Sequence, residues 1–159
     1  MAVKEPKELA TYLKGKKNVL LLTGSLCDEI DFDDGKMLLD YAADIAKKLD
    51  VPVAATANTV KGLKARGVTN TAKKLVAEMV DYMRWSPWRE PIIKEKPEVL
   101  VFIGYPPEVG NSLASTVKDG ETVVLGHVYA DYATYSLHDS PSLRHYQQRL
   151  EELVQALGS

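Results

Sequence analysis

The residues best suited to chemistry sit just after short apolar runs. Gly24, Ser25 and Leu26 follow V-L-L-L-T, and Thr56 and Asn58 follow V-P-V-A-A. Gly104, Tyr105 and Pro106 follow V-L-V-F-I, and His127 follows T-V-V-L-G. Backbone N–H groups at such positions, and at the start of a following helix, can receive the pyrophosphate of a nucleotide. Lys61, Lys64 and Arg66 could offset its charge. The motif signal is thin, because Gly24 stands alone where a dinucleotide fingerprint needs G-x-G-x-x-G, and no Walker sequence occurs.

Other chemistries find less support. Ser25 lacks the G-x-S-x-G elbow of a hydrolase nucleophile. Cys27 could be paired with His127 as a nucleophile, but a lone cysteine beside a core strand more often packs as a small hydrophobe. His127, His138 and His145 lack metal-ligand spacing, and His138-Asp139 reads as a surface pair. Asp28, Glu29, Asp31, Asp33 and Asp34 are rich in oxygen ligands but lack the alternation of a calcium loop. Capping and solvation of the next helix is the better reading for them. One cysteine excludes an intramolecular disulfide and cannot supply the four thiolates usual for an iron–sulfur cluster, so no metal cluster is expected in this chain.

The elements that must position these residues follow from periodicity. Val19–Leu22 is a continuous apolar run, as expected of a strand buried on both faces, and the mostly apolar stretches Val51–Thr56, Glu98–Gly104 and Thr122–Leu125 read as three further strands. A short helix is expected over Glu5–Leu13, ended by Gly15. Gly35–Leu49 reads as a helix with Met37, Leu38, Tyr41, Ala42, Ile45 and Leu49 on one face. Asn58–Asn70 holds two glycines and reads as a loop or a broken turn of helix. Thr71 is expected to open a helix with Ala72, Leu75, Val76, Met79, Val80 and Met83 inward. Arg84–Pro97, with three prolines and two tryptophans, is a long connection. Its Trp85 and Trp88, flanked by Arg84 and Arg89, suit either packing on the sheet or contact with another chain. A short helix from Pro107 and a turn at Lys118–Gly120 precede the fourth strand. After Tyr129, Tyr132 and Tyr135, Ser140-Pro141 reads as the N-cap and first position of a last helix burying Leu143, Tyr146, Leu150, Leu153, Val154 and Leu157.

Alternating strands and helices joined by right-handed crossovers predict an α/β fold, a three-layer, doubly wound, Rossmann-like parallel sheet with helices on both faces. All the strand ends named above then share one edge. At 159 residues, the expectation is one domain spanning 1–159. A net charge of −2 gives no basic field for nucleic acid or an anionic membrane. No stretch approaches the about 20 apolar residues of a membrane span, and the charged start M-A-V-K-E-P-K-E is unlike a secretory signal. A cytoplasmic location is expected.

In the order and spacing of V-L-L-L-T-G-S (19–25), L-L-D-Y-A-A-D-I-A-K-K (38–48), V-P-V-A-A-T-A (51–57), K-G-L-K-A-R-G (61–67) and V-L-V-F-I-G-Y-P-P (99–107), the chain resembles the small epsilon subunits of archaeal carbon monoxide dehydrogenase/acetyl-CoA decarbonylase–synthase complexes. The resemblance spans nearly the whole length and includes the tyrosine-rich tail. It implies a deoxyhypusine-synthase-like (DHS-like) NAD/FAD-binding fold. It also implies a partner, the cluster-bearing alpha subunit of carbon monoxide dehydrogenase, in an α2ε2 component of the larger complex of one-carbon metabolism and methanogenesis. The implied role is that of a subunit without activity alone, either stabilising the complex or aiding electron transfer to FAD. FAD is thus the candidate cofactor, with Gly24, Ser25, Leu26, Thr56, Asn58, Gly104, Tyr105, Pro106 and His127 as its candidate contacts. Two alternatives stand beside this reading: a free-standing FAD- or NAD-binding redox protein, and a structural homo-oligomer with a vestigial cleft. In isolation the chain is expected to self-associate.

Overall fold

The structure, a computed structural model, describes residues 3–84, 88 and 91–158. Six parallel strands form one sheet: β1 Val19–Thr23, β2 Val53–Ala55, β3 Thr71–Lys73, β4 Val99–Ile103, β5 Glu121–Val124 and β6 Tyr135–Ser136. Their order is β3-β2-β1-β4-β5-β6, so the chain winds outward in both directions from a switch point between β1 and β4. The expected doubly wound α/β architecture is therefore present.

β1 and β4 are buried at every position, which explains their unbroken apolar runs. They pair in register over five residues, Val19 opposite Val99 and Thr23 opposite Ile103. Alternate side chains enter two cores. On one face, Val19, Leu21, Val53, Ala55, Val99, Val101, Ile103 and Val123 meet α1 (Pro6–Lys14), α2 (Leu38–Leu49) and α6 (Leu143–Leu157), with Leu63 of α3 (Ala57–Ala65) in the same core. On the other, Leu20, Leu22, Ala54, Leu100, Phe102 and Val124 meet α4 (Val76–Tyr82) and α5 (Pro107–Thr116). Each fully buried leucine contributes roughly 1.5–3 kcal/mol of transfer free energy.

Several expectations need correction. The stretch after Asn58 is a helix, α3, despite its glycines. Gly62 lies within it because Leu39 of α2 fills the space a β-carbon would take, 2.5 Å away. Thr71 opens a strand and not a helix: β3 pairs with β2, and the Asn70 carbonyl accepts the Val53 N–H at 2.9 Å. α4 begins only at Val76, leaving Leu75 62% exposed at its N-cap, whereas Met79, Val80 and Met83 are buried as expected. The second helix begins at Leu38, with the Met37 N–H bonded to the Asp40 carboxylate at 2.7 Å. A two-residue strand, β6, lies within the tyrosine-rich stretch. The last helix is capped by Ser142, whose hydroxyl accepts the His145 N–H at 3.2 Å. The Ser140 hydroxyl instead accepts from Arg149 at 2.9 Å. Trp85 and Arg89 lie outside the described residues. No helix among those described is long and apolar enough to cross a membrane.

Candidate functional site

The parallel register brings the predicted strand-end residues to one edge of the sheet. Thr23 ends β1 opposite Ile103, which sets Gly24 beside Gly104. The two glycines are in backbone contact. The Gly24 N–H donates to the Ile103 carbonyl at 2.8 Å, and the Leu26 N–H donates to the Gly104 carbonyl at 2.9 Å. Gly104 has φ +86°, a left-handed conformation that favours glycine. A β-carbon on Gly24 would overlap the Gly104 carbonyl and lie 2.7 Å from the Tyr105 ring. A β-carbon on Gly104 would overlap the Cys27 sulfur.

Cys27 and Tyr105 complete this junction. A 3-10 turn over Ser25–Asp28 carries Cys27 into the core, where its Sγ lies 3.6 Å from the Ile103 carbonyl. Burial, with a contribution from Asp28, pushes the thiol up to about 12, so it is neutral at physiological pH and a poor nucleophile. Tyr105 is half-buried and meets Phe102 edge-to-face at 6.0 Å. Burial, then proximity to Cys27, raises its hydroxyl above the ordinary tyrosine range. His127 lies beyond β5 with its ring 5.9 Å from that of Tyr146. The geometry gives no Cys–His hydrogen bond on which thiolate chemistry could be built.

On the β2 side the polar residues bond one another. Thr23 and Thr59 hydroxyls lie 3.0 Å apart, and the Thr56 hydroxyl donates to Asn58 at 3.0 Å. Thr23 and Thr59 are fully buried, Asn58 is exposed and Ser25 is exposed. Pro106 caps α5 and accepts the Val109 and Gly110 N–H groups, both at 2.9 Å. Between Tyr105, Pro107, Gly110, Gly126 and His127 lies a cavity of about 10 Å³, room for roughly one water molecule. A bound small molecule usually needs on the order of 300 Å³ or more.

These observations test the fit of FAD at the switch point. A dinucleotide there would need free N–H groups after β1 and an open helix N-terminus. The N–H groups of Gly24 and Leu26 are spent on β4 and its end, and that of Cys27 on the Gly24 carbonyl. The next full helix starts at Leu38, whose N–H donates to the Ile30 carbonyl at 3.0 Å, and the Asp40 carboxylate bonds the N–H of its N-cap, Met37. The intervening loop carries Asp28, Glu29, Asp31, Asp33 and Asp34 against Lys36, a field that repels phosphate. The residues present do not fit the group at this place.

The acidic loop instead folds on itself and onto α6. Asp31 accepts the Asp33 N–H at 2.9 Å, and Asp34 accepts both the Lys36 N–H at 3.1 Å and the Gln147 side chain at 2.8 Å. Among the described residues, no group of three or more His, Cys, Asp or Glu side chains is placed to hold a metal ion. Sequence reasoning missed the pairing of Gly24 with Gly104. The signal was present in two glycines following two apolar runs, but only the register makes them neighbours.

No protein-family model matches the chain. The epsilon subunit of the acetyl-CoA decarbonylase/synthase complex of Methanothrix soehngenii is similar to it at 24% identity, over 96% of this chain and 81% of that protein. The likeness therefore runs through both sheet halves and is not confined to one motif.

Proposed function

We propose that this chain is a non-catalytic small subunit of an acetyl-CoA decarbonylase/synthase-type complex, bound to the carbon monoxide dehydrogenase alpha subunit as in an α2ε2 component. The near end-to-end similarity to an epsilon subunit carries this reading. The geometry is compatible with it: the thiol is buried and neutral, and the strand-end polar groups bond one another. Of the two roles implied by the resemblance, stabilisation asks nothing of the strand-end edge, whereas electron transfer to FAD asks for a flavin seat.

The α4–α5 side is the proposed contact surface. Trp88 packs there half-buried, its ring 6.3 Å from that of Tyr82 and its indole N–H bonded to the Ile93 carbonyl at 3.0 Å. Tyr132 of the tyrosine-rich stretch is 65% exposed and is tied to α5 by a 2.8 Å bond from its N–H to Asn111. Exposed aromatics of this kind are typical interface anchors. The test is anoxic size-exclusion of the full chain mixed with the carbon monoxide dehydrogenase large subunit. Stoichiometric co-elution is expected. Separate elution at micromolar concentration would sink the subunit reading and leave a homo-oligomer or an independent protein to be tested.

A further inference from the structure

We infer that the switch point between β1 and β4 is a closed structural seam, in which the chain's own groups occupy the place where this topology ordinarily receives a nucleotide. The inference stands apart from the subunit reading, because it rests only on the strand-end geometry. Three kinds of contact carry it. First, the N–H groups of Gly24 and Leu26 donate to the Ile103 and Gly104 carbonyls at 2.8 and 2.9 Å. A pyrophosphate could take them only by breaking bonds that tie β1 to β4. Second, the volume beside Gly24 is filled. Its missing side chain, which in a dinucleotide site lets backbone approach phosphate, here lets backbone approach backbone, with the Tyr105 ring alongside.

Third, the approach after β1 is closed electrostatically and at the helix. The Asp40 carboxylate bonds the Met37 N–H at the N-cap of α2, the Leu38 N–H is spent on the Ile30 carbonyl at 3.0 Å, and five carboxylates line the connection. Cys27 locks the seam from beneath. Its sulfur packs where a β-carbon of Gly104 would be, which together with φ +86° restricts that position to glycine. The seam therefore has a built-in reporter, because the thiol becomes accessible only when the two strand ends part.

The experiment uses the unmodified full chain, with FAD, NAD and ADP as probes at up to millimolar concentration. Binding is read by calorimetry, and the seam is read by amide hydrogen exchange and by labelling of Cys27 with a disulfide reagent. A closed seam predicts Gly24 and Leu26 amides protected within about threefold of Leu21, with Cys27 labelled only as fast as the chain unfolds. It also predicts no change in either on adding the probes. Saturable binding that leaves those amides and the thiol unmoved would support the seam and direct attention to another surface. Saturable binding that alters exchange at residues 24–27 and 104–105, or fast exchange there in the free chain, would overturn it.

Discussion

The two faces of the sheet are covered unequally. One carries α1, α2 and α6, of nine, twelve and fifteen residues, together with α3. Its core includes the aromatics Tyr41 and Tyr146, and side-chain bonds tie its elements together: Tyr41 to Glu151 at 2.7 Å, Tyr12 to Glu121 at 2.8 Å and Arg66 to Asp40 at 2.7 Å. The other carries α4, of seven residues, and α5, of ten. It leaves Leu75, Tyr82, Val109 and Tyr132 exposed, whereas on the helices of the first face Leu143, expected to be buried, is exposed at the start of α6. The difference separates two tasks. The first face supplies most of the cohesion of the fold, and the second has apolar surface left for another chain.

The largest effect that would test this division is loss of core volume. Leu150→Ala, on the buried face of α6, should cost about 3–5 kcal/mol, and Met79→Ala, on that of α4, nearer 2 kcal/mol, because a short helix can settle into the void. Urea unfolding midpoints with unchanged slope would measure both. Equal losses would argue that the thin face is packed as rigidly as the thick one.

An intermediate effect concerns the exposed apolar residues. Tyr132→Ser and Leu75→Ser should each change the stability of the isolated chain by less than about 0.5 kcal/mol. If the α4–α5 side receives the alpha subunit, at least one should weaken co-elution tenfold or more, about 1.4 kcal/mol. Full-strength association of both variants would move the contact elsewhere.

How far the sequence revealed this arrangement depends on the kind of interaction. β1, β2, β4 and β5 were legible because interior strands are buried on both faces, and burial writes itself as an apolar run. β3 (T-A-K) and β6 (Y-S) were not, since edge strands this short are defined by hydrogen bonds to a neighbour and carry no pattern of their own. The signal at Ser140-Pro141 was read two residues early: both Ser140 and Ser142 can cap, and Arg149 claims the first. At the strand ends, the sequence placed the candidate residues on a common edge. It could not show that the Gly24 and Leu26 N–H groups were already bonded, because their partners lie nearly eighty positions away.

The smallest expected effect is the acid sensitivity of the thick face. Asp40 is opposed by burial, which acts to raise its carboxyl, but the Met37 N–H and the Arg66 guanidinium outweigh this and hold it below its ordinary range. Lys36 adds to the same lowering. A carboxylate with a depressed folded value stabilises the fold fully above its unfolded value, near 3.9, and loses that contribution as pH falls through the folded value. Asp34 shifts the same way through Gln147 and the Lys36 N–H, also on this face. The thin face has, in Arg84–Asp81, a 3.9 Å pair within one turn, which contributes little. Unfolding midpoints should therefore be level from neutral pH to about 5 and fall below about 4. Asp40→Asn should flatten that fall, whereas Asp81→Asn should leave it unchanged. If instead Asp81→Asn flattened it, the acid-labile cohesion would lie on the thin face, and the unequal division of the sheet would fail on electrostatic grounds even where the packing supports it.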